Sequence, residues 1–151
     1  MRKLIIFSKR LTYIKNNIDS FVVQVIEQNK KDIEFWQKEQ MAYGENSQGS
    51  DIGYLKRVDY ALRKISNGGR ATFGIVDLKN KGDFYDSIYA KVEQTFIEID
   101  AKDGRKPYFL VKKYGQDIFG LNQFYLKKYT HQLTEKVILS INNYLYNNVK
   151  P

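Results

Sequence analysis

Between Leu11 and Trp36 the apolar residues fall at Leu11, Ile14, Ile18, Phe21, Val22, Val25, Ile26, Ile33 and Trp36. Steps of three and four place them on one face of a 3.6-residue turn, so the spacing predicts a long amphipathic helix that Gly44 ends. Asp19 and Ser20 are types that cap helix N-termini. They allow a second version in which the helix begins there and Lys9 to Ile18 form a separate turn or short helix. Residues 1–10 are expected to form an extended N-terminal arm.

The segment Tyr43 to Gly53 (YGENSQGSDIG) concentrates Gly, Ser and Asn, which predicts an exposed, mobile loop. Asp59 to Ile65 reads as a short helix with Tyr60, Leu62 and Ile65 near one side, stopped by Asn67, Gly68 and Gly69. Thr72 to Leu78 is a short extended run. After the turn Lys81-Gly82-Asp83, Asp83 is placed to cap one helical turn, Phe84 to Ser87.

Ile88, Ala90 and Val92 then alternate with Tyr89, Lys91 and Glu93, and Ile97 and Ile99 alternate with Phe96, Glu98 and Asp100. Period-two alternation predicts strands Ile88–Glu93 and Phe96–Asp100, each with one apolar face. The link Gln94-Thr95 suits an antiparallel hairpin but lacks Asn-Gly chemistry, so the register stays open. Asp100 to Lys106 is a polar turn. Pro107 fits the first position of a helix, Tyr108 to Tyr114, that Gly115 stops; a third strand is the alternative. Asn122 is an N-cap for the last helix, where Leu126, Tyr129, Leu133, Val137, Ile141 and Tyr144 recur with Ile138 and Leu145 beside them, and Leu121 staples onto Leu126. The order implies one domain over residues 1–151 of the α+β class: a small antiparallel sheet packed against two long helices, with one or two short helices.

Composition narrows the chemistry. There is no cysteine and one histidine, His131, so disulfides, thiolate chemistry and a His-rich metal site are excluded. The apolar run Leu4 to Phe7 is too short for a signal-peptide core and no stretch reaches transmembrane length, so a cytoplasmic product with no membrane partner is expected. A net charge of +8 attracts polyanions, either nucleic acid or an acidic protein surface. The lysines are spread along the chain rather than gathered in an arm, which reads first as a solvated surface. Twelve tyrosines suit half-wet surfaces such as subunit contacts, and equally the rim of a core.

No catalytic motif is present, and no cofactor is expected. The carboxylates Asp77, Asp83, Asp86, Asp100 and Asp103 fall at caps, turns and strand ends, where Asp is commonly structural. Gly68-Gly69 is followed by neither Lys-Ser nor Lys-Thr and belongs to no Gly-x-Gly-x-x-Gly, so it reads as a turn. Trp36 and Phe35, or Tyr85 and Tyr89 with Lys91, are the aromatic sets that suit base stacking. Protein contact is the simpler use of the same surface.

Several short patterns occur together: Ile52-Gly53-Tyr54, Val76-Asp77-Leu78, Lys81-Gly82-Asp83-Phe84-Tyr85 with Ser87, a hairpin, Lys113-Tyr114-Gly115 and Ile118-Phe119-Gly120-Leu121. From about Gly44 to Asn122 the chain resembles small virion proteins of tailed bacteriophages and prophages, similar to neck, head-to-tail connector and tail-completion proteins. Relatives carry Thr-Gly in the turn where Lys81-Gly82 stands here.

The resemblance implies a non-enzymatic structural subunit of the virion, made in the host cytoplasm. It would self-associate in a ring or dock on portal, adaptor or tail subunits, with DNA as a further contact. A ring needs two different patches per subunit. Tyr43, Ile52, Tyr54, Tyr85, Tyr89 and Phe96 are the expected assembly contacts, and Lys9, Arg10 and Lys91 the expected polyanion contacts. The alternative is a basic nucleic-acid-binding module.

Overall fold

The computed structural model describes residues 2–68, 70, 73–79, 83–102 and 105–146. The expected turns at Gly69, Lys81-Gly82 and Asp103-Gly104, and the start of the extended run at Thr72, lie outside them. Among the described residues there are seven α-helices and a two-stranded antiparallel sheet, so the α+β reading holds.

The N-terminal helical region comprises three helices: α1 (Arg2–Asn16), α2 (Ile18–Gln28) and α3 (Lys30–Ala42). Residues 2–10 are therefore helical and not an extended arm. The joints are Asn17 and Asn29, ahead of and beyond the Asp19-Ser20 start considered from sequence. At each joint the Asn amide turns back on the helix it ends: Asn17 Nδ2 donates to the Tyr13 carbonyl at 2.9 Å, and Asn29 Nδ2 to the Val25 carbonyl at 2.8 Å. Such local bonding competes with the helical ladder and favours a break.

The last helix, α7 (Gln123–Tyr146), packs on α1, α2 and α3 in turn. Its 24 residues make a rod of about 36 Å at 1.5 Å per residue. It runs antiparallel to the three-part arm. Trp36 on α3 meets Tyr125 near the start of α7, with ring centroids 5.9 Å apart, while Tyr13 on α1 meets Tyr144 near its end at 5.7 Å. Leu133, Val137, Ile141 and Tyr144 are half-buried and Tyr129 and Leu145 buried, as the stripe predicts, whereas Leu126 and Ile138 are exposed.

Between α3 and α7 in the chain come α4 (Val58–Ser66), a helical turn α5 (Asp83–Ser87), strands β1 (Ile88–Val92) and β2 (Ile97–Ala101), and α6 (Arg105–Tyr114). The sheet pairs Ile88 with Ala101, Ala90 with Ile99 and Val92 with Ile97, so the alternating apolar residues share one face. Glu93 N donates to Phe96 O at 3.0 Å, closing the hairpin over Gln94-Thr95 as expected. Pro107 falls within the first turn of α6, where its missing N-H costs no ladder bond. Gly115, at φ +87°, ends that helix.

β1 packs on α2 and α3. One cluster, around Met41, Ile52, Val76, Leu78, Phe84, Tyr85, Ile88, Ala101 and Ile118, fills the space between α3, the loops and the sheet. A second joins Ile33, Ala90 and Tyr129 under α7.

The two clusters are bridged by a polar seam. Gln37 and Gln40 of α3 are fully buried, and each acts as an extra peptide group for the segment leading into α7. Gln37 Nε2 donates to Ile118 O and its Oε1 accepts from Gly120 N, both at 2.9 Å. Gln40 Nε2 donates to Gly120 O at 2.9 Å and its Oε1 accepts from Asn122 N at 2.7 Å. Four bonds thus satisfy backbone that would otherwise be buried unpaired.

Candidate assembly interface

The six expected contact residues do not form one surface. Ile52 and Tyr85 are core residues, 7% and 9% exposed. Tyr85 sits on the helical turn α5, ahead of the strand, so the alternation that would have pointed it outward does not apply; its hydroxyl donates to the Asp77 carbonyl. Burial, aided by the Glu39 charge, pushes its phenol pKa well up. Tyr89 is half-buried on β1. Tyr43, Tyr54 and Phe96 are exposed, Tyr54 most of all at 73%. The Tyr54 hydroxyl donates to Asp51 Oδ2 at 2.7 Å, and that bond to a carboxylate raises its pKa.

The loop expected to be mobile is pinned instead. Asn46 Oδ1 accepts from Gln48 N and Ser50 N, both at 3.0 Å. Ser47 N donates to Asp117 O at 2.8 Å, and Ile52 N to Gly44 O at 2.7 Å.

The three expected polyanion contacts are likewise scattered. Arg10 donates to the Tyr144 and Leu145 carbonyls, both at 3.2 Å, satisfying the open C-terminal end of α7. Lys91 pairs with Glu93 at 2.8 Å, and Lys9 is exposed on α1. A denser cationic group lies elsewhere. Tyr60, Arg63, Lys64, Asn67, Gly68, Asp77 and Lys79 line a cleft of about 370 Å³. Lys64 pairs with the buried Asp77, while Arg63 and Lys64 lie 5.3 and 5.9 Å from the Tyr60 ring centroid. Burial and then the nearby Lys79 charge lower the Lys64 pKa.

Two of the carboxylates, Asp77 and Asp100, have structural partners. Asp77 also accepts from Lys79 N at 3.0 Å, beside Leu78 at φ +54°. Asp100 Oδ1 accepts from Ala101 N at 2.7 Å. Asp83 stands in the first turn of α5, Asp86 is exposed there, and Asp103 lies outside the described residues. His131 is exposed, 3.6 Å from Glu135. Among the described residues no group of three or more His, Asp or Glu side chains is gathered to hold a metal ion, and no helix is long and apolar enough to cross a membrane.

No family model matches the chain, and neither a curated protein nor a solved structure matches it.

Two apolar surfaces stand out that the sequence reading did not assign to contact. On α4, Val58, Leu62 and Ile65 form a stripe at i, i+4 and i+7, with Leu62 58% exposed. Ala61 is the one buried residue of that helix. The sequence grouped Leu62 and Ile65 with Tyr60 and not with Val58, and periodicity does not say whether an apolar face meets the core or solvent. Across the molecule's other elements, α2 and the hairpin tip enclose a groove of about 890 Å³. Val22, Val23, Ile26 and Ile97 line it, Phe96 stands at its rim, and Asp19 and Glu93 border it. This groove joins residues more than sixty positions apart, so no local pattern signals it.

Proposed function

We propose that this protein is a structural subunit of a bacteriophage or prophage particle, a neck, tail-completion or head-to-tail connector component that works by protein–protein assembly. The observation that carries the reading is the apolar stripe Val58, Leu62, Ile65 left on the surface of α4, beside a separate apolar groove at α2 and the hairpin. Apolar side chains grouped on one exposed face mark contact surfaces. Two distinct patches are what a subunit needs to join neighbours around a ring. The resemblance from Gly44 to Asn122 supplies the kind of assembly, with portal, adaptor or tail subunits as neighbours.

The test is to delete the gene from the phage or prophage that carries it and to examine purified particles by mass spectrometry and electron microscopy. The expected result is that the protein is present in intact particles and that its loss leaves filled heads unjoined to tails. Infectious particles at normal titre without it would overturn the reading.

A second reading, a nucleic-acid-binding module, is favoured by the cleft in which Arg63 and Lys64 lie over the Tyr60 ring and Lys79 shares the lining. It predicts DNA affinity that falls log-linearly with salt and weakens when Arg63 and Lys79 become Ala. Affinity unchanged by those substitutions argues against it.

A further inference from the structure

We propose that the α4 stripe of one copy seats in the α2–hairpin groove of a second copy, in head-to-tail order. This rests on the assembly reading above and names the partner and the surfaces.

A helix of nine residues is marginal on its own and depends on packing its apolar face. In α4 that face, Val58, Leu62 and Ile65, is exposed among the described residues, which leaves it open to packing by a second copy. Half of the groove's lining is of matching kind, Val22, Val23, Ile26, Phe96 and Ile97, and the other half is polar or acidic.

Charge selects the pairing. The chain carries 25 Lys and Arg, yet the two segments that build the groove, 18–28 and 93–98, contain none. They hold Asp19, Glu27, Glu93 and Glu98, a formal charge of −4. Of these, Asp19 and Glu93 line the groove itself, where no Lys or Arg does; Glu93 pairs with Lys91, and Glu98 stands across the sheet from the same lysine. The segment 56–66 carries Lys56, Arg57, Arg63 and Lys64 against Asp59, a formal charge of +3, of which Lys64 is held by the buried Asp77 and Lys56 and Arg63 have no ion pair among the described residues. An acidic groove in a basic protein is thus offered a basic helix with an apolar stripe, and like-charged alternatives are disfavoured. The two patches share no residue, so each copy keeps one free donor helix and one free groove, and association continues until a ring closes.

The absence of cysteine allows a direct test by disulfide trapping. Leu62→Cys and Phe96→Cys are both made at exposed positions, and circular dichroism checks that each protein is folded. Mixing them under mild oxidation is expected to give at least tenfold more heterodimer than mixing Leu62→Cys with Leu139→Cys, a control on exposed α7 surface. The double variant should give a ladder of linked copies. Asp19→Lys with Glu93→Lys in the Phe96→Cys protein should lower the yield at least tenfold, and Lys56→Glu with Arg63→Glu in its partner should restore it. Heterodimer no higher than the control, Leu62→Cys homodimer as the main product, or a yield indifferent to the charge reversals would each overturn the proposal. A protein that stays unlinked yet is present in purified particles loses the self-contact and keeps the structural role; one that links but is absent from particles keeps the contact and loses that role.

Discussion

Gln40 and Asn122, 82 residues apart, are joined at 2.7 Å by an N-H of the backbone and the oxygen of a buried side chain. The same asparagine caps α7, its Oδ1 accepting from Phe124 N at 3.0 Å and Tyr125 N at 3.1 Å, while its Nδ2 donates to Glu45 Oε2 at 2.7 Å. One helix therefore positions the start of another through a shared polar seam.

Gln40→Ala removes a donor and an acceptor from the backbone of half-buried Gly120 and buried Asn122. Each unpaired buried group costs about 1–3 kcal/mol, so a loss of about 2–4 kcal/mol is expected in urea unfolding. Gln40→Glu should do no better, because a carboxylate cannot donate to the Gly120 carbonyl. Wild-type midpoints for both variants would contradict the role given to the seam.

Asn122→Ala should cost about 1–2 kcal/mol through loss of the cap alone. Asn122→Asp keeps the cap oxygen but places a carboxylate against Glu45. Like charges raise the pKa of the pair, so the stability of this variant should be recovered as pH falls through that raised value and lost again as pH rises. Thermal melts at pH 4 and pH 8 measure it; equal losses at both would exclude the repulsion.

Tyr129 Oη is buried with no hydrogen-bond partner among the described residues. Tyr129→Phe is therefore expected to leave stability unchanged or to raise it by up to about 1 kcal/mol. Burial pushes both Tyr125 and Tyr129 up to about 12 from an ordinary value of 10.0. The fold favours the neutral phenol, so this contribution is full below pH 10 and is lost as pH climbs from about 10 toward about 12. Melting temperature should fall through that window, less steeply in the Phe variant.

Asp77→Asn leaves the half-buried Lys64 beside Lys79 without its counter-charge. About 2 kcal/mol should be lost, less than for a fully buried pair because Lys64 keeps some solvent. Adding Lys64→Met should recover part of the loss. A double variant as unstable as the sum of two single changes would show the pair to be uncoupled.

The parts of the fold legible in the sequence are those with local causes. The alternation from Ile88 to Ile99 set the two faces of the hairpin, and Asn122 and Gly115 marked helix ends through their own conformational chemistry. Gln37 and Gln40 left no such trace, since their partners are backbone groups about eighty residues away. Asn17 and Asn29 interrupt a helical period that continues across them, so three helices read as one. Of the candidate contacts, Tyr43, Tyr54 and Phe96 were placed on the surface correctly. Ile52 and Tyr85 were drawn outward by a loop that proved to be fixed and by a strand phase that begins only at Ile88. On α4 the sequence grouped Leu62 and Ile65 with Tyr60 and left out Val58, and only the tertiary structure distinguishes a face turned inward from one left open.

The two asparagine joints also confine errors of phase. In an unbroken helix one inserted residue turns everything downstream by 100°, and the whole apolar face leaves its partner. Here Ile14, Val25 and Ile33 are each buried from a separate rod, with a bend ahead of the next. A length change near Asn17 or Asn29 is absorbed at the bend, so the N-terminal arm can drift in length while the seam at Gln37 and Gln40 stays in register.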